Sequence, residues 1–363
     1  MDSKIAAGCG CLLGMAAGDA MGNTVDNKSW DEICFNYGPN GLLGYDLAND
    51  AADITSYTQI AAFMANSLLL GAIRGKPESY SRYLALGIRE WAKSQQFRGP
   101  VTERTYCWLA QVPHMRRRHC MDTRMLDALN RDQLGTPEKP VFRSNRPGSL
   151  TAAVAVGLCQ EAARLTEDQV ARLGAEAVAF THGEPEAFLS GAFLAMAVAR
   201  LLQNPQQKMI PLYQQLCDRL EALFANRWPQ QAANVVDAVQ RAITLSRDPD
   251  LTPLAVMTML GCIEAHECLA GAVYASIIHF ANFDEAMIAS VNHSGRSSAV
   301  ASITGALLGA RLGVEALPEF YMESLEPTAV LTELATDLFT ARQVTRIFDD
   351  SWDQKYVQGM PAH

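Results

Sequence analysis

Apolar residues recur at three- and four-residue intervals along almost the whole chain, the spacing that places them on one face of an α-helix. Windows with this spacing cover roughly 4–21, 56–73, 78–95, 149–163, 166–180, 185–203, 208–225, 231–246, 253–272, 284–291, 297–313 and 328–342. Several carry start signals. Thr166-Glu-Asp-Gln169 has the form of a capping box, Asp284-Glu285 puts acid in a first turn, and Pro185 suits a first helical turn. The alternation that marks strands is hard to find, and Gly and Pro collect between helices, as at Gly38–Gly41 and Gly135–Pro140. No linker, composition break or fixed-period repeat interrupts the pattern. It predicts an all-α fold, with residues 1–363 forming one multi-helix domain.

Two segments depart from it. Residues 23–54 read as a long loop carrying Asp26, Asp31, Glu32, Asp46, Asp50 and Asp53, and 96–148 is irregular, with basic and Pro residues mixed. Loops beyond about 15 residues in a compact domain are usually functional or disordered, so a cleft between these two is the place to expect a site. The first helix has its own signature. Gly10, Gly14, Gly18 and Gly22 fall four apart, a smooth face for close packing. The apolar run Ile5–Gly18 is too short to span a bilayer, so it reads as a buried first helix rather than a signal peptide.

Composition narrows the classes. Of 363 residues, 49% are apolar, enough for a large core. Thirty Lys and Arg against 39 Asp and Glu leave a net charge of −9, which argues against a nucleic-acid groove. The one basic cluster, Arg116-Arg117-Arg118-His119, reads as a solvated turn. Nine Cys, at positions 9, 11, 34, 107, 120, 159, 217, 262 and 268, match no zinc spacing and read as small buried side chains in a reducing cytoplasm. A cytoplasmic protein without membrane or nucleic-acid partners is the expectation. Oligomeric state is not legible.

Four separated motifs carry a resemblance. Gly10-Cys-Leu-Leu-Gly-Met-Ala-Ala-Gly-Asp19-Ala-Met-Gly22 resembles the opening helix G-x-L-L-G-x-A-x-G-D-A-x-G of the ADP-ribosylglycohydrolases, the family that includes the dinitrogenase reductase activating glycohydrolase. Thr55-Ser-Tyr-Thr-Gln59 stands where that family has T-D-D-T-Q, and Thr181-His-Gly-Glu-Pro-Glu-Ala187 is similar to its T-H-x-x-P-x-A. Val291-Asn-His-Ser-Gly-Arg-Ser-Ser-Ala-Val300, with Gly305, Gly309 and Gly313, fits the frame of G-G-D-T-D-T and its glycine ladder. The resemblance spans residues 8 to about 325 and implies the all-α fold of that family.

The same resemblance implies an altered site. Family members hold two magnesium ions with the paired Asp of T-D-D-T and the two Asp of G-D-T-D-T. Here those positions are Ser56, Tyr57, Arg296 and Ser298. Magnesium requires hard oxygen ligands, which hydroxyls alone do not supply, and Arg296 would repel the ion. Asp53, Asp50 and Asp46 lie nearby, but no second acidic cluster faces them from 292–300. No metal and no other cofactor is expected. The family's N-G-x-x-M-R loop appears as Pro147-Gly148-Ser149-Leu-Thr-Ala152, and its acidic loop residue after the first helix falls at Asp26.

Without the metals, Arg296 suits a phosphate or carboxylate, and Tyr57 can stack on a sugar or base. Candidate ligand-binding residues are Ser56, Tyr57, Gly148, Ser149, His182, Arg296 and Ser298, with Asp26 and Asp53 as candidate catalytic carboxylates. Each has a plainer alternative. Arg296 can pair with Asp19, Asp53 or Asp26 and plug a dead cavity, His182 can be a satisfied core histidine, and His293 a helix-entry residue. Asp19, in the glycine-rich helix, is expected to cap or pair. Three functions stay open. One is binding of ADP-ribose or a related anionic nucleotide-sugar, free or on an ADP-ribosylated protein, without hydrolysis. The second is a metal-independent glycohydrolase using Asp26 or Asp53 as base. The third is a non-catalytic scaffold or interaction protein.

Overall fold

A computed structural model describes residues 2–47, 51–75, 77–96, 105–119, 122–341 and 351–359. Asp50, Cys120 and position 342, the end of the last helical window, lie outside the described residues. The chain begins with α1 (Ser3–Val25), α2 (Trp30–Tyr37), α3 (Ser56–Ile73), α4 (Tyr80–Ser94) and α5 (Thr123–Leu129). It continues through α6 (Ala152–Leu158), α7 (Glu167–Ala179), α8 (Pro185–Gln203), α9 (Met209–Phe224) and α10 (Pro229–Leu245). Then follow α11 (Pro253–Leu260), α12 (Ala265–Ile278), α13 (Phe283–Val291), α14 (Ser297–Leu312), α15 (Glu319–Glu323), α16 (Thr328–Phe339) and α17 (Ser351–Asp353). Among the described residues there is no sheet, only an isolated bridge between Ala52 and Leu325. The fold is a single compact all-α domain.

The glycine ladders do what their spacing promised. Along α1 and α14, Gly10 faces Gly309, Gly14 faces Gly305, Gly18 faces Ala301 and Gly22 faces Ser298. The pairing runs in opposite directions along the two helices, so they are antiparallel. A Cβ on Gly10 or Gly14 would overlap a carbonyl oxygen of α14, and one on Gly305 or Gly309 would overlap a carbonyl of α1. Backbone packs on backbone over three turns. By length and composition α1 and α8 could each cross a membrane, but 94% of the most apolar window of α1 is buried in this fold.

Three expectations need correction. The apolar window 253–272 is two helices. Gly261 (φ 87°) and Cys262 (φ 55°) turn the chain in the left-handed region, and a Glu264/Glu267 capping box restarts it. The 149–163 window keeps only α6, after which the chain turns at Arg164 (φ 52°). The 23–54 loop contains α2, whose start is a full capping box between Ser29 and Glu32.

Candidate functional site

Asp19 and Asp26 lie seven residues apart, two helical turns, at the C-terminal end of α1. Each serves the N-terminus of a different helix. Asp19 is fully buried and caps α3. Its carboxylate accepts the Thr55 N–H (2.8 Å) and hydroxyl (2.7 Å), and the Thr58 N–H (3.1 Å) and hydroxyl (2.7 Å). Burial pushes its pKa up to about 6, against the pull of those four donors. The two threonines kept in the Thr55-Ser-Tyr-Thr58 motif therefore hold Asp19, as the expected capping role requires.

Asp26 serves α14. Its carboxylate accepts the Ser298 N–H at 3.1 Å and the Asn27 amide at 2.6 Å, and stands 3.8 Å from Nη1 of Arg296. Burial raises its pKa, while Ser298 and Arg296 oppose the rise. The turn before α14 is braced from within. The Arg296 N–H donates to the Cys262 carbonyl (2.7 Å), so the break between α11 and α12 helps to place the arginine. Gly295 N–H donates to Nδ1 of His293, which assigns the proton to Nε2 and the bond at 3.0 Å to the Ser290 carbonyl. His293 is thus the helix-entry residue of the plainer alternative, held neutral by burial with its pKa lowered to about 4. Asn292 clamps both backbone groups of Leu42, and Ser294 accepts the Trp30 N–H, stitching the acidic loop to this turn.

Tyr57 projects from the first turn of α3 into the field of Asp26, Cys268 and Arg296, and burial raises its hydroxyl pKa. The N-terminal ends of α3 and α14 thus meet at one place, where Tyr57, Asp26 and Arg296 share an environment. Ser56 opens α3, half-buried, and Ser298 is buried in the first turn of α14. Behind Tyr57, the Thr151 hydroxyl donates to its carbonyl oxygen (2.7 Å). Ser149 and His182 pair with each other. Both are buried, with the Ser149 hydroxyl 2.8 Å and the Thr181 hydroxyl 2.9 Å from His182 Nδ1. Burial lowers the His182 pKa to about 4. Gly148 lies over the ring, where a Cβ would come within 2.9 Å of Nε2.

Asp53 stands apart from Asp26, 3.2 Å from Arg117, whose guanidinium also grips Glu326 through two bonds (2.7 and 2.9 Å). The Arg116–His119 cluster is therefore more than a solvated turn. The Arg117 carbonyl accepts the side-chain amides of Gln59 and Gln95, which fixes the cluster beside the first turns of α3. Nothing in the local spacing of charges signals that contact. Sequence reasoning also passed over Tyr45, whose hydroxyl is buried near Asp19 and has no hydrogen-bond partner among the described residues.

The residues at this place do not fit two magnesium ions. Their positions offer two hydroxyls, a phenol and a guanidinium, while the adjacent carboxylates are committed to Thr55 and Thr58 or to Ser298 and Arg296. Among the described residues, Glu264, His266 and Glu267 bring three possible ligand atoms within 4.8 Å of one another, but at the start of α12. There the Glu267 carboxylate is engaged by the N–H groups of Ile263 and Glu264. What the α14 terminus can do is hold negative charge, with an amide, a guanidinium and a helix dipole aimed at one carboxylate.

An all-α domain built on a glycine-seamed helix pair, with two helix starts meeting at its end, defines the class. The family model for ADP-ribosylglycohydrolase matches residues 2–347, and the chain belongs to that family. It is 26% identical over 342 residues to an uncharacterized protein of Archaeoglobus fulgidus, covering 91% of this chain and 94% of that one. A solved structure titled "ADP-ribosylglycohydrolase-related protein complex" superposes with a TM-score of 0.53 at 21% identity. The match covers 94% of this chain and 99% of the other, and supports the shared fold.

Proposed function

We propose that this family member binds ADP-ribose, or a related anionic nucleotide-sugar, and does not use the two-magnesium hydrolytic mechanism. The ligand is taken free or as the modification on an ADP-ribosylated protein. The observation that carries the reading is the α14 terminus. The Ser298 amide and the Arg296 guanidinium converge on a negatively charged oxygen pair, a place suited to a phosphate. Tyr57 stands beside it to pack against a ribose or base.

Calorimetry with ADP-ribose, ribose-5-phosphate and inorganic phosphate tests this. Wild type should bind, more tightly at low salt. Arg296→Ala should weaken binding by about 1.5–3 kcal/mol, roughly tenfold to 150-fold. Equal binding by both proteins, or none by wild type, rejects the reading. One observation favours a second reading, a non-catalytic scaffold: Arg296 already has a partner in Asp26. Metal-independent hydrolysis would need Asp26 or Asp53 as a base, and each faces an arginine, Arg296 or Arg117. Release of ADP-ribose from a modified protein, abolished by Asp26→Asn, would establish it.

A further inference from the structure

The start of α12 gathers a second group of chemistry-bearing side chains, which the site above does not use. Glu264, His266 and Glu267 bring two carboxylate oxygens and an imidazole nitrogen within 4.8 Å of one another. Nδ1 of His266 stands 3.8 Å from Oε2 of Glu264, too far for a hydrogen bond. That nitrogen is closed to solvent and has no hydrogen-bond partner among the described residues. An orphaned buried nitrogen lowers stability, and a bound cation would remove that cost. Beside it lies a cavity of about 260 Å³, lined by His266 and Glu267 from α12 and by Asn234, Asp237 and Arg241 from α10. It leaves room for waters to complete the shell of an ion.

We infer that Glu264, His266 and Glu267 form a binding site for a single zinc ion, independent of the anion-binding reading. The reciprocal capping box holds the two carboxylates side by side. Glu267 is fixed in place: its Oε2 accepts the N–H groups of Ile263 (3.0 Å) and Glu264 (2.9 Å), which leaves Oε1 to ligate. The Asn145 amide donates to Oε2 of Glu264 (2.8 Å) and orients that carboxylate from behind. Around a tetrahedral zinc ion, ligand atoms bonded at about 2.1 Å stand roughly 3.4 Å apart. Glu264 is 46% exposed, so a short inward rotation of its side chain closes the set. One imidazole with two carboxylates is a zinc donor set. Magnesium favours oxygen alone in an octahedral shell, and manganese lies at the weak end of the divalent series. Asp237 adds a carboxylate to the cavity wall against the Arg241 guanidinium, so negative charge is in excess around the ion. The ion would also brace the turn whose Cys262 carbonyl holds the Arg296 N–H.

The test is zinc binding by the untagged chain, stripped with chelator and titrated in competition with a chromophoric indicator. Wild type should bind a single equivalent and melt at a higher temperature with zinc than without it. His266→Ala and Glu264→Gln should each weaken binding by about tenfold or more and lose the melting shift. Cobalt(II) in place of zinc should give visible bands without the near-ultraviolet absorption of a thiolate ligand, which separates this site from the cysteines. Circular dichroism shows whether each variant folds; if one does not, the other variant and the wild-type cobalt spectrum decide. No zinc bound by wild type, a thiolate band, or unchanged affinity in a folded variant would overturn the site.

Discussion

One helix ends in two carboxylates, and they have taken different paths. Asp19 is sealed in the interior with all its donors drawn from Thr55 and Thr58, so the start of α3 is part of the framework. Asp26 is partly exposed, accepts the Ser298 N–H and shares its charge with Arg296 at the start of α14. The difference shows how one helix can set two helix starts in unlike surroundings. The seam that positions both helix ends is made of backbone, and it is indifferent to what the ends carry.

The largest contrast should appear in stability. Asp19→Ala strands four buried donors, and its cost should be on the order of 4 kcal/mol in urea denaturation. Asp26→Ala removes one cap bond and a loose ion pair and should cost about 1 kcal/mol. Equal losses would erase the distinction between the two ends.

pH sharpens it next. His182 folds with its pKa near 4 against 6.5 unfolded, so its contribution is whole above pH 6.5 and is lost as pH falls through 4. Between pH 7 and pH 4 wild type should lose about 3 kcal/mol more than His182→Gln. Asp19 runs the other way. Raised to about 6 from 3.8, its contribution is whole below pH 3.8 and is lost as pH rises through 6. Asp19→Asn should therefore remove a stability gain on acidification rather than a loss. A matched series of denaturation curves separates the two.

A smaller effect is expected where the seam meets the site. A Cβ at Gly18 would overlap the Ala301 carbonyl, so Gly18→Ala should cost about 1–3 kcal/mol. By shifting the first turns of α14 it should also weaken phosphate binding, whereas Gly10→Ala, at the far end of the seam, should cost stability alone. Smallest of all, millimolar magnesium or manganese should leave the melting temperature unchanged, because an ion that does not bind the native state cannot stabilise it. A rise reversed by chelator and removed by Asp53→Ala would overturn the account of the metal positions.

The sequence carried the framework well because the framework is periodic. Four-residue glycine spacing marked α1 and α14 as close-packing helices, though not as each other's partner, and the buried position of Asp19 implied a capping or paired role. It carried the site less well because the site is made of contacts between distant segments. That Arg296 meets Asp26, rather than Asp19 or Asp53, depends on the Cys262 carbonyl holding the arginine's amide. Apolar spacing ran through that turn and hid it. The Ser29–Glu32 capping box was visible as a motif, yet the acidic loop around it masked α2. Arg117 looked solvated because its partners, Asp53, Glu326, Gln59 and Gln95, lie far away in the chain.

The most direct test of the proposed ligand place is a crystal structure with ADP-ribose bound. A phosphate oxygen should accept the Ser298 N–H and meet Arg296, with Asp26 turned away and Asp19 still bonded to Thr55 and Thr58. A nucleotide bound elsewhere, or bound here with Asp26 still on Ser298 and Arg296, would contradict it.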